Sequence, residues 1–344
     1  MILIILHYIF PFNIVHNYIR NNIAMQMNIK VLILRTIISC AVSLLILGLI
    51  SYCIPDIQMN KPFKLNNRLY NLNSYEYTIA SSCVVPYKNV SLERVIGHKD
   101  VIQEITTLID IMNCSNIASL SPEGVNFDVP KGILLYGPPG TGKTTLAKSI
   151  SSSIFSDKKN SANFLMVSPD VIENKFYGES LKLLKAVFTL AKKIEPCVIF
   201  FDEIDGILSA RTAMDQSHTT SMKTSFLTYL DGVDTNSVLL IGATNREKAL
   251  DPALLRRLSV HLKLDNPSDQ DKKKMLSNYF TALSDTSLSE ILELIPSSMT
   301  LSDIECFCKY CYRHFFSKHK QSGDSMTVED ISKMYPIYEK FRVN

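Results

Sequence analysis

Lys131-Gly-Ile-Leu-Leu-Tyr-Gly-Pro-Pro-Gly-Thr-Gly-Lys-Thr144 decides the fold. Its first six residues are a short apolar run of strand type. Gly137 to Thr144 follows as a glycine-rich loop, and Thr145 to Ser153 reads as helix. Strand, glycine-rich loop and helix, in that order, are the context a phosphate-binding loop requires. Glycines at 137, 140 and 142 let the backbone curl so that its N–H groups face phosphate oxygens. The helix start adds a favourable dipole. Lys143 is expected to reach the β and γ phosphates of a nucleotide, and Thr144 to offer its hydroxyl to Mg²⁺. The nucleotide-binding set is therefore Gly137, Pro138, Pro139, Gly140, Thr141, Gly142, Lys143, Thr144 and Thr145.

The second half of such a site lies downstream. Pro196-Cys-Val-Ile-Phe-Phe201 is a continuous apolar run, as expected for a strand covered on both faces of a parallel sheet. It ends in Asp202-Glu-Ile-Asp205, and the carboxyl ends of central strands are where α/β sheets bind ligands. Asp202 is expected to hold Mg²⁺ and Glu203 to orient and polarise the attacking water. Asp205 is expected to be structural or a local cap. Leu239-Leu-Ile-Gly-Ala-Thr-Asn245 reads as another buried strand, with Asn245 at its tip near the γ-phosphate or the water.

With these three motifs in this order, and with Leu250-Asp-Pro-Ala-Leu-Leu-Arg-Arg257 after them, the chain resembles the AAA ATPases. The resemblance implies ATP and Mg²⁺ as cofactors, ATP hydrolysis, and a homo-oligomeric ring, usually of six subunits. It also implies that Arg256 and Arg257 reach the ATP of a neighbouring subunit, where phosphoryl transfer gains from an arginine supplied in trans. Val95-Ile96-Gly97 resembles the segment lining the adenine pocket, which adds Ile96 and Gly97 to the binding set. Asn174-Lys-Phe-Tyr-Gly-Glu-Ser180 is similar to the pore-loop segment of the thorase family. These are mitochondrial outer-membrane ATPases that extract mislocalised tail-anchored proteins. Leu72-Asn-Ser-Tyr-Glu76, Ile79-Ala-Ser-Ser82 and Ala191-Lys-Lys-Ile-Glu-Pro-Cys197 look like that family too, and the resemblance runs from about Leu72 to Pro267. It implies that Phe176 and Tyr177, beside Gly178, grip an extended polypeptide, since a flat ring packs against whatever side chains pass it.

The chain also departs from the family. Phe176 stands where relatives carry tryptophan, and there is no Trp in the sequence. Val260-His261-Leu262 occupies the place of a further arginine before an aromatic residue. The glycine-containing lid motif reads Ser298-Met-Thr-Leu-Ser-Asp303. Its Thr300 and Asp303 keep the spacing of a capping box.

Around this core, 344 residues suggest about two domains plus extras. The signs of charge are interspersed and the net charge is only +3, so nucleic acid is not expected as a partner. Cys306, Cys308, Cys311 and His314 have the look of a metal cluster, but they sit in a segment that reads as helix. Residues two apart on a helix point to nearly opposite sides, so buried small apolar residues are the expected reading. Thr36 to Ile54 (TIISCAVSLLILGLISYCI) contains no charged residue and approaches the roughly 20 residues a helix needs to cross a bilayer. Met1 to Val15 is also apolar, but is broken by Pro11. It is either an interfacial or signal-like stretch, or sequence ahead of a start at Met25 or Met27.

The expected architecture is a doubly covered α/β protein with four parts. They are an anchor region (1–54) with a transmembrane helix at 36–54, a linker (55–87), a large ATPase domain with a parallel sheet (88–265), and a small helical lid (266–344). The expected function is ATP-driven extraction of tail-anchored proteins through a hexameric pore. The expected location is a single-pass position in the mitochondrial outer membrane, with the ATPase domain in the cytosol. The alternatives are a remodeller of microtubules or membrane filaments, and an ATP-binding membrane scaffold without turnover. No His-Glu-x-x-His motif is present, which argues against a membrane ATPase-protease.

Overall fold

The computed structural model describes residues 37–44, 60–85, 90–113, 130–154, 162–172, 178–208, 216–235, 237–318 and 326–341. Met1–Met59 and Asn60–Asn344 are separate units. In the first, residues 37–44 are helical and exposed. The rest of the expected span, residue 36 and residues 45–54, lies outside the described residues. Among those described, no helix is long and apolar enough to cross a membrane.

The second unit begins with a hairpin, β1 (Lys61–Leu65) and β2 (Arg68–Leu72), followed by α1 (Ser74–Cys83) and β3 (Val84–Val85). After α2 (Lys99–Asn113) come β4 (Gly132–Tyr136), α3 (Lys143–Ser153) and β5 (Asn163–Val167). Then follow α4 (Pro169–Ile172), α5 (Glu179–Lys193), β6 (Cys197–Phe201), α6 (Ile204–Leu208) and α7 (Gln216–Asp231). The sheet is completed by β7 (Val238–Thr244), α8 (Pro252–Arg257) and β8 (Val260–Lys263). Four helices end the chain: α9 (Asp269–Tyr279), α10 (Asp285–Leu294), α11 (Leu301–Lys318) and α12 (Val328–Phe341).

The main sheet has the order β3-β5-β6-β7-β4-β8. The last five of these run parallel, and β3 pairs antiparallel to β5 at the edge. The sheet is therefore mixed, where an all-parallel sheet was expected. Alternation along each strand explains the burial of both faces. In β6, Cys197, Ile199 and Phe201 enter one core cluster with α1, α5 and α7, while Val198 and Phe200 enter another with α2 and α3. In the first cluster, Phe226 of α7 stands edge-on to Phe201 at 5.1 Å.

Residues 60–85, expected as linker, fold into the hairpin, α1 and the edge strand. Asn73 and Glu76 form a complete capping box at the start of α1. Leu72, Ile79, Ala80 and Cys83 are fully buried in the first cluster. Glu76 is tied to Lys193 at the end of α5, with Nζ to Oε2 at 2.6 Å. The segment therefore belongs structurally to the ATPase core.

Helices α9 to α12 surround a third cluster, which includes Leu276, Ile291, Phe307 and Ile331. On α11, Cys306 points to solvent while Cys308 and Cys311 are buried, the separation that helical geometry demands. Thr300 and Asp303 exchange capping hydrogen bonds at the start of this helix, backbone to side chain in both directions.

Candidate active site

The strand order brings three loop tips together. β4 lies between β7 and β8, and β6 lies beside β7. The loop after β4 therefore neighbours Asn245 at the end of β7, and Asp202 at the end of β6 follows one strand further on. The Gly137 amide donates to the carbonyl of Thr244 (3.3 Å), and the Asp202 amide to that of Val167 (2.9 Å).

The loop itself is set by close approaches. At Gly137 (φ +143°) a Cβ would stand 2.1 Å from the Leu264 carbonyl oxygen. At Gly140 (φ +75°) it would stand 2.6 Å from Thr300 Oγ1. No side chain fits at either position, and both conformations favour glycine. Thr141, 2% exposed, closes the loop from within by donating to the Pro138 carbonyl at 2.9 Å. Pro139 and Thr145 are exposed. Helix α3 starts after Gly142 with no side chain on its first amides, so those N–H groups are available to an anion.

Lys143 is buried, and its Nζ donates to the carbonyls of Gly137 (2.8 Å) and Pro138 (2.7 Å). Burial lowers its pKa from the usual value, and the negative charge of Asp202 works in the opposite direction. Thr144 Oγ1 donates to Asp202 Oδ2 at 3.3 Å. A hydroxyl and a carboxylate facing each other are hard oxygen donors, of the kind Mg²⁺ takes beside phosphates. These residues fit a nucleotide with its magnesium ion.

Glu203 is exposed and held at φ +47°, a region non-glycine residues seldom occupy. Its amide donates to Asp202 Oδ1 at 3.1 Å, and its carbonyl accepts from Gly206 at 2.7 Å. Asp205 accepts from the Thr244 hydroxyl at 2.6 Å, and the same hydroxyl accepts from the amide of Arg246 at 2.9 Å. Asp205 is thus a brace for the turn that carries Asn245, in keeping with the structural role expected for it. Asn245 is exposed and lines a cleft of about 660 Å³ with Gly137, Pro138, Arg246 and Lys263.

Ile96 and Gly97 are buried. His98, next in sequence, donates from Nε2 to the Thr141 carbonyl at 3.2 Å, which ties this segment to the phosphate loop. Asp271 of α9 stands 3.2 Å from where a Gly97 Cβ would be. The helical segment thus approaches both the Ile96–Gly97 segment, through Asp271, and the loop after β4, through Thr300.

The two arginines of α8 differ. Arg256 is exposed. Arg257 forms a two-pronged pair with Asp231 at the end of α7, at 2.9 and 2.8 Å. It also donates to the Ala253 carbonyl. His261, in the place of the relatives' further arginine, lies on edge strand β8 and donates to the Leu255 carbonyl at 3.1 Å. Gly178 caps α5 at φ +87°, but Phe176 and Tyr177 lie outside the described residues. Among the described residues no group of His, Cys, Asp and Glu is arranged to hold a metal ion on its own.

Sequence reasoning missed Asp231, Thr244, His98 and Asp271. Each acts through one or two hydrogen bonds or a close approach that only the fold creates, and no spacing in the chain announces it. Only Thr244 carried a signal, since it is the polar end of an apolar run directly before Asn245.

The protein family described as ATPase family associated with various cellular activities (AAA) matches residues 133–266. The outer mitochondrial transmembrane helix translocase of Homo sapiens is 37% identical over 278 residues, covering 76% of this chain and 73% of the relative. The protein of that name from Xenopus tropicalis is 35% identical over 249 residues, covering 69% of this chain and 66% of the relative. Fidgetin-like protein 1 of Drosophila melanogaster is 35% identical over 187 residues, but this chain spans only 35% of it. Among solved structures, the FIGL-1 AAA domain in complex with ADP superposes with a TM-score of 0.60 at 26% identity. That match covers 76% of this chain and 89% of the other.

Proposed function

Since the chain belongs to the AAA ATPases of the thorase family, we propose that it is a membrane-anchored translocase that uses ATP hydrolysis to pull membrane helices out of a bilayer. The observation that carries this reading is the cluster of Lys143, Thr144 and Asp202 beside Glu203 and Asn245 on adjacent strand ends. The sequence match to the human translocase covers 76% of this chain at 37% identity, against 53% at 35% for fidgetin-like protein 1, which favours extraction over filament or microtubule remodelling.

In this reading Lys143 leaves the carbonyls of its own loop and turns its ammonium onto the β and γ phosphates, and the first amides of α3 bind phosphate oxygen. Thr144 and Asp202 would hold Mg²⁺, which would supply neutralisation of phosphate charge. Glu203 accepts a proton from the attacking water, and Asn245 orients that water, braced by Thr244 and Asp205. Arg256, exposed on α8, is the arginine ready to serve a neighbouring subunit. Arg257 must first leave Asp231. Phe176 and Tyr177 hold the substrate polypeptide, the ring is a hexamer, and the apolar run 36–54 is the anchor in the outer mitochondrial membrane. Residues 266–344 are the lid over the nucleotide.

The test is reconstitution of the full chain in liposomes bearing a tail-anchored protein. Glu203→Gln is expected to bind ATP, to lose turnover by at least about a hundredfold, and to leave the substrate in the membrane. Turnover within twofold of the unaltered chain removes Glu203 from its role. ATP turnover without release of the tail-anchored protein removes extraction.

A further inference from the structure

The β1–β2 hairpin has one face packed and one face with no partner among the described residues. Phe63, Leu65 and Tyr70 lie against the first core cluster. Phe63 meets Tyr77 edge-on at 6.1 Å, so the hairpin is held firmly on α1. The turn at Asn66 and Asn67, with φ of 47° and 63°, is the tight two-residue kind that suits paired strands. Asn66 is anchored by a 2.8 Å hydrogen bond to Asn163.

On the outer face, Lys64 and Leu69 are direct cross-strand partners and therefore project together. Both are exposed, Leu69 to 70%. Lys61 and Arg68 are exposed at the two ends of the inner face. Among the described residues none of these three cations pairs with a carboxylate, and Lys61 instead lies 5.2 Å over the Tyr77 ring. From Ile57 to Tyr75 the sequence holds no Asp or Glu.

We propose that this hairpin docks on the anionic headgroups of a lipid bilayer, with Leu69 entering the interface, Lys64 facing lipid phosphate beside it, and Arg68 reaching phosphate from the turn end of the hairpin. Two observations select lipid as the occupant. An exposed leucine beside Lys64 on its own face, on a hairpin whose further cations Lys61 and Arg68 pair with no carboxylate among the described residues, matches the chemistry of an anionic interface. The charge-free run ends at Ile54, seven residues before Lys61, and seven residues span at most about 25 Å even when fully extended. The inference rests on the reading of that run as a membrane anchor. It adds a second point of attachment, which would fix the tilt of the ATPase core over the bilayer. Single-span anchoring alone leaves that tilt free.

The chain contains no tryptophan, so Leu69→Trp places a single indole reporter on the hairpin. The full-length variant is reconstituted into bilayer nanodiscs, either neutral or containing anionic lipid, with brominated acyl chains as quencher. Blue-shifted, quenched emission is expected with anionic lipid and weak quenching with neutral lipid. Lys64→Glu and Arg68→Glu in the same background should each lower the bound-to-free ratio by fivefold or more. Fivefold is the factor that about 1 kcal/mol per basic residue gives on removal at such a surface. The double variant Lys64→Arg with Arg68→Lys should keep the signal, and unchanged ATP turnover reports that each variant is folded.

Equal quenching in both lipids, or none in either, overturns the proposal. So does a blue shift without lipid that grows with protein concentration, since a second copy would then cover the face. Carbonate extraction of the reconstituted chain tests the anchor separately. If the chain is released, the anchor reading fails, and quenching by added anionic vesicles still decides the hairpin.

Discussion

Thr244→Val isolates one hydroxyl at the centre of the site. The substitution keeps the volume and the β-branched shape of a strand residue that is 1% exposed. It removes the donor to Asp205 and the acceptor for the Arg246 amide, at 2.6 and 2.9 Å. A hydrogen bond to a carboxylate contributes about 1.5–3 kcal/mol and a neutral one about 0.5–1.5 kcal/mol. Asp205 is half-buried, and water will take up part of the loss, so the low end of the sum applies, about 2 kcal/mol. With an unfolding entropy of about 2.1 cal/mol/K per residue over residues 60–344, this lowers the melting temperature by about 3 °C. The catalytic effect should be larger in proportion, because the two bonds fix the turn that carries Asn245. A side chain displaced by a fraction of an ångström costs about tenfold in kcat, while KM for ATP stays within about twofold because the phosphate loop is untouched. Thermal unfolding and steady-state ATP turnover measure the two effects. Thr244→Ser keeps the hydroxyl and should recover most of the turnover. The reasoning is refuted if Thr244→Val melts and turns over like the unaltered chain. It is refuted equally if Thr244→Ser is as damaged as the valine variant, since the methyl group would then be the part that matters.

Three further outcomes are expected. Asp231→Asn should cost less than about 1 kcal/mol in urea unfolding, because the pair with Arg257 is exposed to solvent. The Arg257 guanidinium holds the Asp231 carboxyl below its usual value of 3.8. The pair's small contribution is therefore complete above about that pH and is lost as pH falls through the lowered value, which an acid titration of stability should follow. Lys272 is 2% exposed and donates to the Ser297 carbonyl at 2.9 Å. Lys272→Met should cost no more than about 1 kcal/mol, whereas Lys272→Ala should cost at least about 2 kcal/mol through the cavity it leaves. On α11, burial pushes the Cys311 thiol up to about 12 and raises that of Cys308 as well. Alkylation at pH 8 followed by mass spectrometry should therefore modify Cys306 in the native protein and Cys308 and Cys311 only after unfolding.

The parts of this molecule that read plainly from sequence are those that one local segment dictates. GPPGTGKT needs its glycines for reasons of backbone geometry alone, and an apolar run ending in Asp202-Glu203 declares both a buried strand and its functional end. The hairpin at 61–72 was less legible because its strands are five residues each and polar on one side. The signal was nevertheless present in Asn66-Asn67 between two alternating runs. The two-residue edge strand β3 has no sequence signature, since its pairing with β5 is decided wholly by tertiary packing. The same applies to the site. Lys143 and Glu203 belong to motifs, but Asp231 meets Arg257 across 26 positions, and no pattern within a helix or a strand reports such a pairing. Sequence marked both arginines of α8 alike, and only the fold distinguishes the exposed one from the one already engaged.

The edge strand β8 has a consequence for how copies of this chain influence one another. It begins three residues after Arg257 and lies in parallel register beside β4. Its continuation fastens Leu264 to the Tyr136 carbonyl at 2.8 Å and presses on Gly137. A load applied to α8 from outside therefore has a short, stiff route to the chain's own nucleotide cradle. In a closed ring of such copies, each cradle would be coupled in series with the next.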